Sequence, residues 1–414
     1  MNTPPVPDTR HHADNTAARL RWPWRNRCTL SIQAGGRRYL PHIRTAMQSA
    51  RHSICIELYM CSSGLLFDEW FTVLSTAVKR GVSVQLLLDD IGSADLSRHD
   101  QRRLHEAGVT LLFFNPVRMG HLISALVRDH RKLIIVDDTR AWVGGMGIDD
   151  RYDPRLNGDA AWMDAMLACR GPLVADLRML FDQAWRLADA GPVSGAVRWR
   201  LTAQRPEPVR QDRRNTTWAR VNAARGGRSN PLIKTLVRRI LRARTEVWLC
   251  TPYFLPPRAL YKALIIAARR GVSVHLTLAG EHTDHPAIRY AGQHYYPRLL
   301  DAGVQIHEYQ PRFLHLKAAR ADNWSTMGSF NYDVWNSSWN LEANVETVDH
   351  GFAKRMAEMK CMLDNESRLI TRDGWDKRGL LSRARSLFWH GIGLRLMKVI
   401  RSIRATATAR PTAD

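Results

Sequence analysis

Apolar residues along the chain recur at helical spacing and then switch to strand-like runs, and the switch happens twice in the same way. Phe71, Leu74 and Val78 fall at i, i+3 and i+7 and predict a helix over 70–80. It runs into Arg80-Gly81-Val82-Ser83-Val84, where the glycine ends the helix and the β-branched residues open a strand. A helix over 259–270 leads into Arg270-Gly271-Val272-Ser273-Val274 by the same device. Further helices end at Gly108 and Gly303, each feeding another strand. Leu133–Val136 is an apolar run of buried-strand type, and Ala141–Gly145 returns beside it; Trp324–Met327 is the return in the second half. Alternating helix and strand predicts α/β units with a mixed or largely parallel sheet.

These paired elements are copies. AVKRGVSVQLLLDD from Ala77 is echoed by AARRGVSVHLTLAG from Ala267, EAGVTLLFF from Glu106 by DAGVQIHEY from Asp301, and HRKLIIVD from His130 by HLKAARAD from His315. Three blocks in one order, offset by 190, 195 and 185 residues, indicate a duplicated domain, because solenoid periods are far shorter. The predicted organisation is a disordered tail (1–30), a first lobe (31–190), a Pro- and Arg-rich linker (191–215), a second lobe (216–376) and a basic C-terminal segment (377–414).

The third repeated block carries the chemistry. In a strand, residues two apart face the same way, so His130 projects with Lys132 and His315 with Lys317. Two His-x-Lys units suit phosphoryl transfer without a metal or other cofactor. One imidazole attacks phosphorus, the other protonates the departing alkoxide, and the lysines neutralise the phosphoryl oxygens. Asp164 and Glu342 are the candidate carboxylates for orienting the imidazoles. The small-residue turns Gly144-Gly145-Met146-Gly147 and Gly328-Ser329-Phe330-Asn331 follow the return strands. Gly145, Ser329 and Asn331 there let a ligand approach the backbone. His282-x-x-His285 has neither i, i+4 spacing nor a matched pair and is not read as a metal site.

Composition narrows the partner. The 414 residues carry a net charge of +22, which predicts an anionic partner such as nucleic acid, a membrane surface or a phosphorylated substrate. Only nine of the 61 cations are lysine, and two of those nine sit in the His-x-Lys units. A compact ammonium at a small phosphate is not interchangeable with a planar guanidinium. The six scattered cysteines form no C-x-x-C pair and read as reduced thiols of a cytosolic chain. No apolar run reaches the length of a membrane span, and the first residues lack a signal-peptide core.

At His130, Lys132, Asp137 and at His315, Lys317, Asp322 the sequence resembles the phospholipase D superfamily, whose signature is a duplicated H-x-K-x4-D motif. The resemblance spans roughly 31–378 and sharpens toward the bacterial cardiolipin synthase branch. Asp90-Ile91-Gly92-Ser93, Phe114-Asn115-Pro116-Val117, Thr251-Pro252-Tyr253-Phe254 and Gly328–Asp333 followed by Asn340–Asn344 carry that likeness. It implies two duplicated α/β sandwich lobes sharing one active site, with no cofactor. It implies transfer of a phosphatidyl group to phosphatidylglycerol through a phosphohistidine, with His130 as nucleophile and His315 as acid. Phosphatidylethanolamine is a further candidate substrate. Asp137 and Asp322 belong to the catalytic motif but are expected to stabilise the strand turns rather than touch substrate. Position 147 is glycine where the family pattern has asparagine, as Asn331 is in the second copy.

The C-terminal segment bears on location. Lys377–Arg410 contains nine cations and no carboxylate. Trp389, Ile392, Leu396, Val399, Ile400 and Ile403 share one helical arc of about 100°. Two placements fit: an interfacial helix on anionic lipid, or a helix packed on the second lobe. The resemblance and this segment together imply a peripheral enzyme on the cytoplasmic face of a bacterial membrane, with nucleic acid disfavoured as substrate. A phosphodiesterase hydrolysing phospholipid or nucleic acid is the alternative, and a non-catalytic membrane-binding protein a third.

Overall fold

The computed structural model describes residues 22–117, 126–191, 217–225, 230–379, 384–392 and 395. The first half contributes β1 (Arg25–Ala34), β2 (Ser53–Leu58), β3 (Ser83–Asp89), β4 (Thr110–Phe114), β5 (Lys132–Val136), β6 (Arg140–Gly144) and β7 (Ala165–Arg170). The second contributes β8 (Thr217–Arg225), β9 (Glu246–Thr251), β10 (Ser273–Ala279), β11 (Gln305–Tyr309), β12 (Ala318–Ala321), β13 (Trp324–Gly328), β14 (Leu341–Thr347) and β15 (Ser367–Ile370).

These form a single mixed sheet in the order β15-β11-β10-β9-β12-β13-β14-β8-β1-β7-β6-β5-β2-β3-β4. The order β1-β7-β6-β5-β2-β3-β4 repeats as β8-β14-β13-β12-β9-β10-β11, so the duplication read from three sequence blocks extends through the whole topology. The β2-β3-β4 and β9-β10-β11 trios are parallel, joined by crossover helices. The remaining neighbours are antiparallel, with β1 meeting β8 at the centre across a bulge. A central apolar core takes residues from both halves, including Leu177, Phe181, Phe352 and Met356 from helices Leu173–Asp189 and His350–Asn365. A further core lies within each half.

Two boundaries differ from the sequence reading. Strand β1 begins at Arg25, inside the stretch that composition assigned to a disordered tail. Arg25 is buried and donates from Nε and Nη2 to Asp176 at 2.8 Å each, so a charge that reads as solvated is consumed by a partner 151 residues away. The helix expected over 70–80 runs Leu65–Lys79. Its first amides, Leu65 and Leu66, donate to Asp150, a cap supplied from another part of the chain. The tail up to residue 21 and nearly all of the linker lie outside the described residues, as do Leu396, Val399, Ile400 and Ile403.

Residues 384–392 are helical and rest on helix Pro286–Gln293 of the second half. His390 stacks on His294 with centroids 3.8 Å apart, and Arg385 lies over the Tyr290 ring. Leu387 and Phe388 face outward and are each 60% exposed. Among the described residues, no helix is long and apolar enough to cross a membrane.

Candidate active site

Each His-x-Lys unit sits where the chain enters the antiparallel half of its lobe, with His130 two residues before β5, which opens at Lys132, and His315 three residues before β12, and there it pairs with the other lobe. The His130 amide donates to Leu341 O at 3.0 Å, and the Leu341 amide donates back to Arg128 O at 2.9 Å. The mirror-image bridge runs from the Met163 amide to Phe313 O and from the His315 amide to Met163 O, both at 2.8 Å. In each case the residue after the bridging one is a carboxylate. Glu342 Oε1 therefore lies 2.8 Å from His130 Nδ1, and Asp164 Oδ2 lies 2.7 Å from His315 Nδ1. The histidine of one lobe is held by the carboxylate of the other.

Hydrogen bonding at Nδ1 leaves Nε2 as the ring nitrogen free for chemistry. Lys132 Nζ donates to the His130 carbonyl at 2.8 Å, and Lys317 Nζ to the His315 carbonyl, so each ammonium is tied beside its own histidine. Both lysines are fully buried. Burial pushes Lys132 down to about 7 and Lys317 to about 8. Burial, followed by the Lys132 and Lys317 cations, holds His130 well below the ordinary histidine value. His315 falls to about 4, again through burial and then Lys317, with the Asp164 hydrogen bond and the Asp284 charge pulling it back up. Burial raises Glu342 well above the usual carboxylate range.

The two carboxylates are accommodated differently. Glu342 Oε2 accepts from Ser329 Oγ. At the matching position Gly145 leaves room for Asp164, because a Cβ there would collide with its carboxylate oxygens. Asn331 lines the cavity with its side-chain oxygen buried and unpartnered. Gly147, its counterpart, has no space for a side chain: a Cβ would stand 2.6 Å from Met60 O. The missing amide is thus a packing requirement of the first lobe.

The motif aspartates lie elsewhere. Asp137 adopts φ 51° just past the far end of β5, about 17 Å along the strand from Lys132 at ~3.3 Å per residue. It accepts from the amides of Arg51, His52 and Ser53 at 2.7–3.1 Å. Asp322, also at φ 51°, accepts from the Arg244, Thr245 and Glu246 amides and from Thr245 Oγ1 at 2.7–3.1 Å. These bonds depress both pKa values, against the opposing effect of burial. A depressed carboxylate contributes stability above its unfolded pKa and loses it as pH falls through the folded value. Asp137→Ala is therefore expected to lower unfolding free energy by about 1–2 kcal/mol at pH 7 with little change in turnover per folded molecule. The deficit should shrink below pH 4, and chemical denaturation at pH 7 and pH 3 checks it.

The cavity between the histidines measures about 570 Å³. His315 stands in an aromatic surround of Tyr152, Trp162 and Phe313, with centroids 5.2–5.8 Å away, while His130 has Tyr59 at 4.9 Å. Tyr59, Tyr152, Trp162 and Asp284 escaped the sequence reading. The one available signal was position: Tyr59 directly follows the carboxyl end of β2 and Tyr253 stands two residues beyond that of β9, where α/β folds place ligands. His285 borders the cavity and His282 does not. Chemically, the arrangement offers two imidazoles with fixed tautomers and the Lys132 ammonium on one cavity, with Lys317 tied to the His315 carbonyl, a setting for an anionic phosphodiester.

Comparison with known proteins agrees with this geometry. The family described as "Cardiolipin synthase, PLD-like domain" matches residues 43–185 and 236–360. Cardiolipin synthase 2 of Bacillus anthracis is 33% identical over 347 residues, covering 82% of this chain. The chain spans 65% of that relative's length. Cardiolipin synthase B of Escherichia coli O6:H1 is 30% identical over 366 residues, 85% of this chain and 86% of that protein. The crystal structure of phosphatidylserine synthase from Haemophilus influenzae Rd KW20 superposes with a TM-score of 0.70 at 12% identity, covering 91% of this chain and 95% of that one, which shows a common fold. With both H-x-K-x4-D motifs at matched positions of the two lobes and the family model spanning both, the chain belongs to the cardiolipin synthase family of phospholipase D-like proteins.

Proposed function

We propose that the chain is a cardiolipin synthase, a phosphatidyltransferase that joins a phosphatidyl group to a phosphatidylglycerol hydroxyl. The observation that carries this reading is the crossed pair: the two histidines of the His-x-Lys units on one cavity, each imidazole held at Nδ1 by the opposite lobe's carboxylate. The lipid enters with its phosphodiester between Lys132 and Lys317. His130 Nε2 attacks phosphorus, the bond to the head-group oxygen breaks, and His315 gives that oxygen its proton. A second alcohol then loses its proton to His315 as its oxygen bonds to phosphorus and the phosphorus–nitrogen bond breaks, restoring His130.

The division of labour follows from charge. Burial and the Lys132 and Lys317 cations hold His130 well below the ordinary histidine value, which keeps it neutral and nucleophilic. His315 has Asp164 and Asp284 drawing it toward the protonated form. An entering phosphodiester anion offsets the lysine charges and moves it further that way. Asn331, Lys132 and Lys317 stabilise the phosphoryl oxygens, each such donor contributing about 10²–10³ in rate.

The net charge of +22 and the outward Leu387 and Phe388 support a peripheral position on anionic lipid, on the cytoplasmic face of a bacterial membrane. Purified protein incubated with vesicles of labelled phosphatidylglycerol, with and without phosphatidylethanolamine, is expected to yield cardiolipin and release glycerol or ethanolamine. Nuclease activity without lipid turnover would overturn the reading.

A further inference from the structure

Two carboxylates border the cavity, Asp284 and Asp333, and neither is one that holds a histidine. Asp333 is occupied within its own segment by the Asn336 amide and side chain. Asp284 has no such use. It lies between β10 and helix Pro286–Gln293, partly exposed, and accepts from Tyr253 Oη at 2.8 and 2.7 Å. Tyr253 in turn packs 6.2 Å from Phe313, whose ring is 5.6 Å from His315, so this pair flanks the His315 side of the cavity.

The duplication supplies an internal comparison. Tyr253 stands two residues beyond β9; two residues beyond β2 the first lobe has Met60. The turn after β3 folds back so that the Ile91 and Gly92 amides donate to Asp89. Among the described residues it adds no side chain to the cavity wall. An acidic, hydrogen-bonding wall has therefore been built on one side only.

An ionised carboxylate accepts hydrogen bonds and repels phosphoryl oxygens, so it faces the alcohol part of a phosphodiester. His315 exchanges protons with both the departing and the incoming alcohol, which puts both alcohols in turn on this side. We propose that Asp284, held in place by Tyr253, is a hydroxyl-reading subsite that accepts a hydrogen bond from a second hydroxyl of a polyol head group while the neighbouring oxygen reacts. The inference rests on the phosphatidyltransferase reading above and adds the class of alcohol. A neutral hydroxyl suits the site better than an ammonium. Arg151, fixed by Asp149 at 2.7 Å, also borders the cavity and interacts with the Asp284 charge, and His285 Nε2 is 3.8 Å from the carboxylate.

Competition between acceptor alcohols tests it. Full-length wild type, Asp284→Asn and Tyr253→Phe are given phosphatidylglycerol vesicles with glycerol, 1-propanol or ethanolamine, and the phosphatidyl products are quantified. The glycerol-to-propanol product ratio is expected to fall about tenfold or more in Asp284→Asn, and less in Tyr253→Phe, because a site built around a substrate hydroxyl discriminates against its absence. An unchanged ratio in an Asp284→Asn protein that still turns over lipid would overturn the subsite alone. A wild-type preference for ethanolamine that Asp284→Asn abolishes would overturn the hydroxyl assignment. Absence of any phosphatidyl alcohol from wild type would remove the underlying function as well.

Discussion

His130→Ala is expected to lower phosphatidyl transfer by at least ~10⁴, as loss of a nucleophile does elsewhere, and to eliminate the covalent protein adduct. His315→Ala should be comparably slow on natural lipid yet behave differently when the leaving group needs no proton. With a phosphatidyl-p-nitrophenol substrate, His315→Ala should release up to one equivalent of nitrophenol per protein and then stall. The phosphohistidine forms, but no base activates the acceptor. His130→Ala should give no burst. Acid-quenched gels of protein exposed to radiolabelled substrate read the adduct directly, and label retained on His130→Ala would reverse the assigned roles. The expectation follows from the unequal electrostatics of two otherwise matched histidines. Both are buried beside lysines and each is held by a carboxylate, but Asp284 adds a second negative charge that favours the protonated form of His315.

How much of this was legible in the sequence depends on whether a feature is local. His130, Lys132, His315 and Lys317 were readable because the motif recurs at matching positions of the duplication, although both histidines stand just ahead of the strands expected to carry them. Asp137 and Asp322 were readable as turn residues because a positive φ and the waiting amides lie at the ends of neighbouring strands. Asp164 and Glu342 were recognisable as orienting carboxylates, but their crossing was not. It depends on the Met163 and Leu341 backbone bridges, each spanning more than 150 residues, and no periodicity encodes a bridge between lobes. Arg25 was misread for the same reason, since its partner Asp176 is remote. Gly147 illustrates the converse. The sequence exposed the departure from the family pattern, while its cause, the Met60 carbonyl against the glycine, appears only in three dimensions.

The crossing itself makes the second large prediction. Glu342→Gln and Asp164→Asn keep an oxygen able to accept from the imidazole but remove the ionisable carboxyl, and each is expected to cost about 10²–10⁴ in turnover, by analogy with the orienting carboxylate of a catalytic triad. The two losses should fall on different steps. Glu342 serves the attacking His130, so Glu342→Gln should slow the nitrophenol burst as severely as steady-state turnover. Asp164 serves His315, so Asp164→Asn should leave the burst nearly intact and slow the later transfer to the acceptor. Rapid-quench kinetics on both variants, with thermal melts to confirm folding, separates the steps. Equal burst defects in the two would mean that the carboxylates act on the site as a whole. Unequal defects in the stated order would mean that each lobe's chemistry is set by its partner. A single lobe would then carry a histidine and a lysine but lack the group that fixes its tautomer, because Glu342 and Asp164 each stand on the opposite side of the central β1–β8 contact from the histidine they hold.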